Sequence, residues 1–181
     1  MGNFKEDIAS AEAFVFDVDG VFTDGKIIPL ADGDFIRAYY AKDGYAVAYA
    51  VSRGYTVAVI SGGRGQTLER RFRHLGVKEL HIDVCDKLGC LKEIIGRLGL
   101  NPEKVIFVGD DIPDLECMKY VGLPVCPADA ASEVIEASRY VSEYDGGRGC
   151  VRDIVEQVLR ARGDWAQDSK GVTTSNTTVS A

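Results

Sequence analysis

The chain is poor in nitrogen and sulfur ligands. Its two histidines, His74 and His81, stand alone, and its five cysteines (Cys85, Cys90, Cys117, Cys126 and Cys150) are odd in number and form no C-x-x-C pair. A zinc site and a disulfide framework are both disfavoured; reduced core thiols and structural or exposed histidines are expected. Basic excess is also missing. The net charge of -7 argues against a nucleic-acid partner, because phosphate backbones attract basic surfaces. A local basic pocket for a small anion is compatible with it. No apolar run approaches bilayer length, so no membrane partner is expected. The stretch "MGNFKEDIAS" lacks the basic and apolar regions of a secretory leader, and Glu6 stands where myristoylation needs Ser or Thr. A cytoplasmic location is the expectation.

What is present is enough for one domain with a sizeable core: 181 residues, 46% of them hydrophobic and 27% charged. Apolar, β-branched runs alternate with helical segments. "AFVFD", "YTVAVIS" and "KVIFVGD" read as buried strands, with "ELHIDV", "LPVCP" and "RYVS" as shorter ones. "GKIIPL" and "DFIRAYY" flank the turn "ADGD" and read as a hairpin. "DGYAVAYAVSRG" reads as a helix with Asp43 as its N-cap and Gly54 as its stop. Four further segments, around "TLERRFRHL", "KLGCLKEIIGRL", "DLECMKY" and "SEVIEAS", and a last one, "CVRDIVEQVLRARG", are also helical. The alternation predicts an α/β fold: a Rossmann-like parallel sheet with helices on both faces, plus a small β-hairpin flap over about residues 21–41. Residues 1–164 form one domain in this reading. Residues 165–181, short of apolar residues and rich in Ser, Thr and Asn, read as a disordered tail.

In such sheets the functional site lies off the carboxyl ends of the strands. The strong strands end there in Asp17, in Ser61, and in Gly109 with Asp110 and Asp111. The first of them, in "AFVFDVDGVFTDG", carries a second carboxylate at Asp19. Asp17, Asp19, Asp110, Asp111 and Asp114 would gather at one edge, and five carboxylates cannot all stay ionised there without a cation. Oxygen ligands with few alternatives favour Mg²⁺. A plainer role is open for Asp111 or Asp114, as N-cap of the helix beginning near Pro113. Ser61 is followed by "GGRG", whose small residues let backbone N–H groups approach a phosphate at a helix N-terminus. Lys87 opens a helix, where a cation is electrostatically misplaced unless it faces an anion.

This combination resembles the haloacid dehalogenase superfamily: D-x-D after one strand, Ser after another, Lys before a helix, and G-D-D-x-x-D after a later strand. The resemblance reaches to about residue 160. It implies that Asp17 is a nucleophile forming an aspartyl-phosphate and that Asp19 is the general acid and base. Ser61, Gly62 and Lys87 would hold the transferring phosphoryl group. Asp17, the backbone carbonyl of Asp19, and Asp110 would ligate Mg²⁺, with Asp111 and Asp114 supporting that shell. Members that cleave carbon–halogen bonds or pump ions lack an acid at the second position, so Asp19 implies a phosphatase or phosphomutase.

The spacing between Asp17, Ser61 and Lys87 leaves no room for a cap domain. "FDVDGVFTDG", the hairpin, "VISGGRG", "VGDDIPDLE", "GLPVCPADA" and "DGGRGCVRDIVEQVL" are similar to a capless subfamily of phosphatases for phosphorylated sugar acids in lipopolysaccharide biosynthesis. That likeness implies a homotetramer, with the hairpins building a central barrel and the loop around Arg148 reaching a neighbouring subunit's site. Arg64, Arg148 and Lys42 are the candidates to bind the substrate's carboxylate. One departure is Asp83, where many relatives carry Gly. Gly63 and Arg64 stand where phosphatases for nine-carbon sugar acids tend to carry an acid, which leans towards an eight-carbon substrate. A nine-carbon substrate stays open, as does, further off, a receiver-like phospho-aspartate signalling module.

Overall fold

The computed structural model describes residues 4–168 and residue 172. A short helix α1 (Phe4–Asp7) leads into β1 (Ala13–Phe16), every residue of which is buried. The hairpin strands β2 (Ile28–Pro29) and β3 (Phe35–Ile36) follow as a separate antiparallel pair. Then come α2 (Ala41–Ser52), β4 (Thr56–Ile60), α3 (Gln66–His74), β5 (Glu79–His81), α4 (Lys87–Leu98) and β6 (Val105–Val108). The chain continues through α5 (Leu115–Tyr120), β7 (Leu123–Cys126), α6 (Ser132–Ala137), β8 (Tyr140–Val141) and α7 (Cys150–Ala161).

The six long-range strands form one parallel sheet in the order β5-β4-β1-β6-β7-β8. The α/β fold with a hairpin flap and no cap is thus the observed one. Apolar runs without alternation suit it, because both faces are covered. Phe14, Phe16, Val57, Val59, Ile106 and Val108 pack on one side with α2, α3 and α7; Ala13, Val15, Ala58, Ile60, Val105 and Phe107 pack on the other with α4, α5 and α6. β1 lies at the centre, where the winding reverses, so the crevice at its carboxyl end is where this topology places a site.

Four local expectations are corrected. α2 begins at Ala41 with Tyr40 as its N-cap, so Asp43 lies inside the first turn and does not cap it. Its buried carboxylate instead accepts the Arg152 N–H (2.7 Å) and so caps α7 from a neighbouring helix. Neither Asp111 nor Asp114 makes a side-chain cap at the helix near Pro113. Cys85 is exposed, while Cys117, Cys126 and Cys150 are buried; all five thiols are free. Trp165, assigned to the tail, packs edge-on against Tyr49 and under Arg152. The remaining tail residues, apart from those up to 168 and Val172, lie outside the described residues.

Phe72 of α3 is fully buried and meets Phe22 and Tyr39 edge-on, so it joins α3 to the chain entering and leaving the flap. Phe72→Ala is expected to cost about 3–5 kcal/mol of stability, the usual range for emptying a packed aromatic position. Urea unfolding monitored by circular dichroism measures it.

Candidate active site

The sheet's hydrogen bonding continues one residue past β1: the Asp17 N–H donates to Val108 O (2.9 Å). This holds the Asp17 carboxylate at the edge, only 6% exposed. Lys87 reaches it from the first turn of α4, whose N-cap Asp86 accepts the Gly89 N–H. Lys87 Nζ lies 2.9 Å from Asp17 Oδ1 and 2.8 Å from Asp114 Oδ1. The other Asp114 oxygen accepts the Asp110 N–H (3.1 Å). The misplaced lysine is therefore explained by two buried carboxylates ahead of it, and the Asp114 side chain is committed to Lys87 and to the Asp110 backbone.

Oxygens of Asp17, Asp110 and Asp114 all lie within 4.8 Å of one another. Burial and the neighbouring Asp114 push Asp17 up to about 7 against the pull of Lys87. Burial, then Asp17, Asp114 and Asp111, push Asp110 up to about 8. Burial works against the Lys87 charge, yet the two carboxylates hold its pKa above the ordinary ammonium value. The half-buried Asp110 carboxylate accepts no hydrogen bond among the described residues. It is pressed against Gly20, where a Cβ would stand 1.9 Å from Oδ2. A carboxylate fixed in place, without a donor and raised by its neighbours, fits a hard divalent cation shared with Asp17.

Ser61 is buried at the end of β4, and its Oγ accepts the Gly63 N–H (3.0 Å). The segment leading to Lys87 is tied to it: Val84 N–H donates to Ser61 O (3.0 Å) and Asp83 N–H to Gly63 O (2.9 Å). Asp83 adopts a left-handed backbone (φ 57°), a conformation that favours glycine and that Asp tolerates. Asp17, Asp19, Ser61, Gly62, Lys87, Asp110, Asp111 and Asp114 thus line one cleft of about 620 Å³, with Asp111 exposed at its mouth.

The three carboxylate-binding candidates lie elsewhere. Lys42 and Arg148 line a separate cavity of about 350 Å³ with Tyr40, Tyr144 and Arg152. Arg64 is exposed and does not line the cleft; its carbonyl accepts from Arg37 Nη1 (3.3 Å). Two residues at the site were not anticipated. Arg37, from the chain just after β3, grips Asp19 with both Nε and Nη2 (2.8 and 2.9 Å). Thr23 Oγ1 accepts the N–H groups of Gly20 and Gly25 and lies 3.4 Å from Asp19 Oδ1. Thr23 sits inside the quoted motif and could have been read as a turn former. Nothing in the periodicity of the hairpin points to Arg37.

A carboxylate pair, a buried lysine, a serine with glycine-rich backbone and a cation-ready acid cluster, all at one sheet edge, define a hydrolase of phosphoric monoesters. The family model of haloacid dehalogenase-like hydrolases matches residues 38–122. The 3-deoxy-D-manno-octulosonate 8-phosphate phosphatase of Escherichia coli K12 is 36% identical over 86% of this chain and 85% of its own. The crystal structure of the Yersinia pestis phosphatase of that name superposes with a TM-score of 0.86 at 34% identity, covering 90% of this chain and 88% of that one. The Moraxella catarrhalis phosphatase, solved with magnesium, phosphate and the sugar acid KDO, has a TM-score of 0.85 at 28% identity, covering 91% and 94%. The chain belongs to the haloacid dehalogenase-like hydrolases, in the family of the 3-deoxy-D-manno-octulosonate 8-phosphate phosphatases. No helix among the described residues is long and apolar enough to cross a membrane.

The raised carboxylates give the metal site a pH signature. Without a cation the folded chain holds protons that the unfolded chain, with carboxylates near their usual value of about 4, has released. Their stabilising contribution is present at low pH and is lost as pH rises through about 7 to 8. Mg²⁺ displaces those same protons. The rise in melting temperature on adding Mg²⁺ is therefore expected to be larger near pH 8.5 than near about pH 6, and to be mostly lost in Asp110→Asn. Thermal melts with and without Mg²⁺ across that range check both.

Proposed function

We propose that this chain hydrolyses 3-deoxy-D-manno-octulosonate 8-phosphate to the free sugar acid and inorganic phosphate, in the cytoplasm, as a step of lipopolysaccharide biosynthesis. The observation that carries the reading is the gathering of Asp17, Asp19, Ser61, Lys87 and Asp110 in one cleft. In this reading an Asp17 oxygen attacks phosphorus and the P–O bond to the sugar breaks, while Asp19 gives its proton to the departing alkoxide. Water then attacks phosphorus, the bond to Asp17 breaks, and Asp19 takes the proton back. Ser61 Oγ, the Gly62 backbone and Lys87 hold the phosphoryl oxygens, and Lys87 offsets their charge. Mg²⁺, held by Asp17, Asp110 and the Asp19 carbonyl, supplies further positive charge there when bound. Asp114 supports this shell through Lys87 and the Asp110 N–H, and Asp111 borders it.

The rest of the reading concerns the assembly. Residues 1–164 act as one phosphatase domain without a cap, and a neighbouring subunit closes the cleft. The hairpin supports this: Ile28 is 59% and Ile36 49% exposed in the single chain, and Ile27 beside them is exposed too. Apolar side chains of this size on a short two-stranded ribbon suit burial at the centre of a tetramer. Arg148 and Lys42, which line a separate cavity, are then placed to meet the substrate carboxylate of another subunit, and Arg64 borders the serine loop from outside. An eight-carbon substrate is favoured over a nine-carbon one because Gly63 and Arg64 put no acid there, and because a relative binds KDO.

Asp17→Asn is expected to bring phosphate release below detection in Mg²⁺, and a panel of phosphorylated sugar acids to give its highest kcat/KM with the eight-carbon member. A nine-carbon preference would replace the substrate, and activity in Asp17→Asn would remove the nucleophile. Arg148→Ala is expected to lower kcat/KM for the sugar acid by about tenfold to a hundredfold, the worth of a charged hydrogen bond, while sparing p-nitrophenyl phosphate. Mixing Asp17→Asn chains with Arg148→Ala chains restores sugar-acid turnover if the arginine comes from a neighbour. No restoration places it elsewhere.

A further inference from the structure

We propose that Arg37 is the positioning residue for Asp19, fixing the plane of its carboxylate from the flap. The inference rests on the role given to Asp19 above and adds the group that orients it. Asp19 lies in a tight turn closed by the Val21 and Phe22 N–H groups on Val18 O, beside Gly20 in a left-handed conformation (φ 94°). Within that turn the carboxylate receives one long side-chain bond, from the Thr23 hydroxyl to Oδ1 (3.4 Å), which does not fix its plane. Arg37 does hold it. Its Nε and Nη2 each meet one Asp19 oxygen, at 2.8 and 2.9 Å, the fork geometry that sets both position and plane.

Arg37 is not placed to bind substrate itself. Its side chain is only 3% exposed and does not line the cleft, and its Nη1 is committed to the Arg64 carbonyl. It therefore acts through Asp19. Its own position is set in advance. The guanidinium lies 5.6 Å from the Phe35 ring centre, and the adjoining Asp34 accepts the Thr67 N–H and hydroxyl at the start of α3. Gly63 leaves the room: a Cβ there would stand 2.7 Å from Nη2 and 3.0 Å from Asp19 Oδ2. Asp19 Oδ1 accepts from Arg37 Nε and the Thr23 hydroxyl, whereas Oδ2 accepts from Arg37 Nη2 alone and keeps a lone pair with which to exchange a proton at the cleft. A general acid must meet the leaving oxygen at hydrogen-bond distance, which makes its orientation a rate-determining property.

A mere staple of the flap and a positioning residue differ in leaving-group dependence. An alkoxide needs the proton from Asp19; p-nitrophenolate leaves without one. The holoenzyme in Mg²⁺ is assayed on glycerol phosphate and on p-nitrophenyl phosphate, for Asp19→Asn, Arg37→Met and Arg37→Lys. Asp19→Asn is expected to lose kcat on the alkyl ester by about 10² or more beyond its loss on the aryl ester. Arg37→Met is expected to show the same bias, at least about tenfold, in kcat with little change in KM, and Arg37→Lys to recover part of it. Equal losses on the two esters in Arg37→Met, with the bias intact in Asp19→Asn, would overturn the proposal and leave Asp19's role standing. Absence of bias in Asp19→Asn would remove that role, and the proposal with it. Should Arg37→Met not fold, Arg37→Lys decides, since losing one arm of the fork predicts a smaller bias of the same sign.

Discussion

Lys87 stands between Asp17 and Asp114 with its ammonium shielded from water, and most of the site's order derives from it. Three buried ionic groups cost several kcal/mol each to desolvate, and only close geometry offsets that. The three come from different places: the end of β1, the start of α4 and the turn after β6. Satisfying one ammonium therefore fixes three loops relative to one another. The chain of contacts runs further, since Asp114's second oxygen takes the Asp110 N–H and so aims the Asp110 side chain back at Asp17. One cation cannot neutralise this many carboxylates. The same contact that orders the edge leaves Asp17 and Asp110 holding protons in place of a cation, and those protons are what a divalent ion displaces. Fold and metal demand are two consequences of one arrangement.

The opposite wall of the cleft is built differently. Ser61 and Gly63 hold the Asp83–Val84 bend by backbone hydrogen bonds, which tie the serine loop to the lysine loop. The D-x-D loop is instead braced from the far side by glycines. Gly147 N–H donates to Val21 O (2.9 Å), and a Cβ at Gly146 would stand 1.9 Å from Gly20 O. Only glycine permits that approach, which is a structural reason for the "GGRG" sequence separate from anything Arg148 does. Asp43 adds the last brace by capping α7 from α2. Its other oxygen is buried without a partner among the described residues, and burial pushes the group up to about 6.

Legibility in the sequence followed the range of the interactions. The sheet strands were readable because continuous apolar runs have few other uses, and the acids were readable because their position at strand ends is a property of the local chain. Lys87 could be read as an oddity because its misfit with the helix dipole is local too. Asp43 misleads for the converse reason. A carboxylate in a helix's first turn looks like that helix's own cap, and only the packing of α2 on α7 reveals the other helix it serves. Arg37 left no trace at all. It is one charge at the end of a short hairpin, and its partner lies eighteen residues earlier, across a fold-over that no periodicity encodes. Lys42, Arg64 and Arg148 were drawn in by charge and likeness, and the single chain keeps all three outside its own cleft.

Asp17 and Asp19 thus belong to two mechanical systems although one residue separates them. Asp17 is bonded into the sheet and pinned by a lysine on the opposite loop, both parts of the rigid core. Asp19 is gripped by a side chain from the flap, a ribbon of two-residue strands that two strands alone cannot make stable. The flap is held by what it touches: Thr67 at the start of α3 and Asp19 on the core side. In the proposed mechanism the group that attacks phosphorus needs one fixed line of approach, which the core supplies. A group that first gives and later takes a proton needs an orientation compatible with substrate entering and sugar leaving. An anchor on a separately supported ribbon meets that requirement, and it ties the geometry of Asp19 to the placing of the flap.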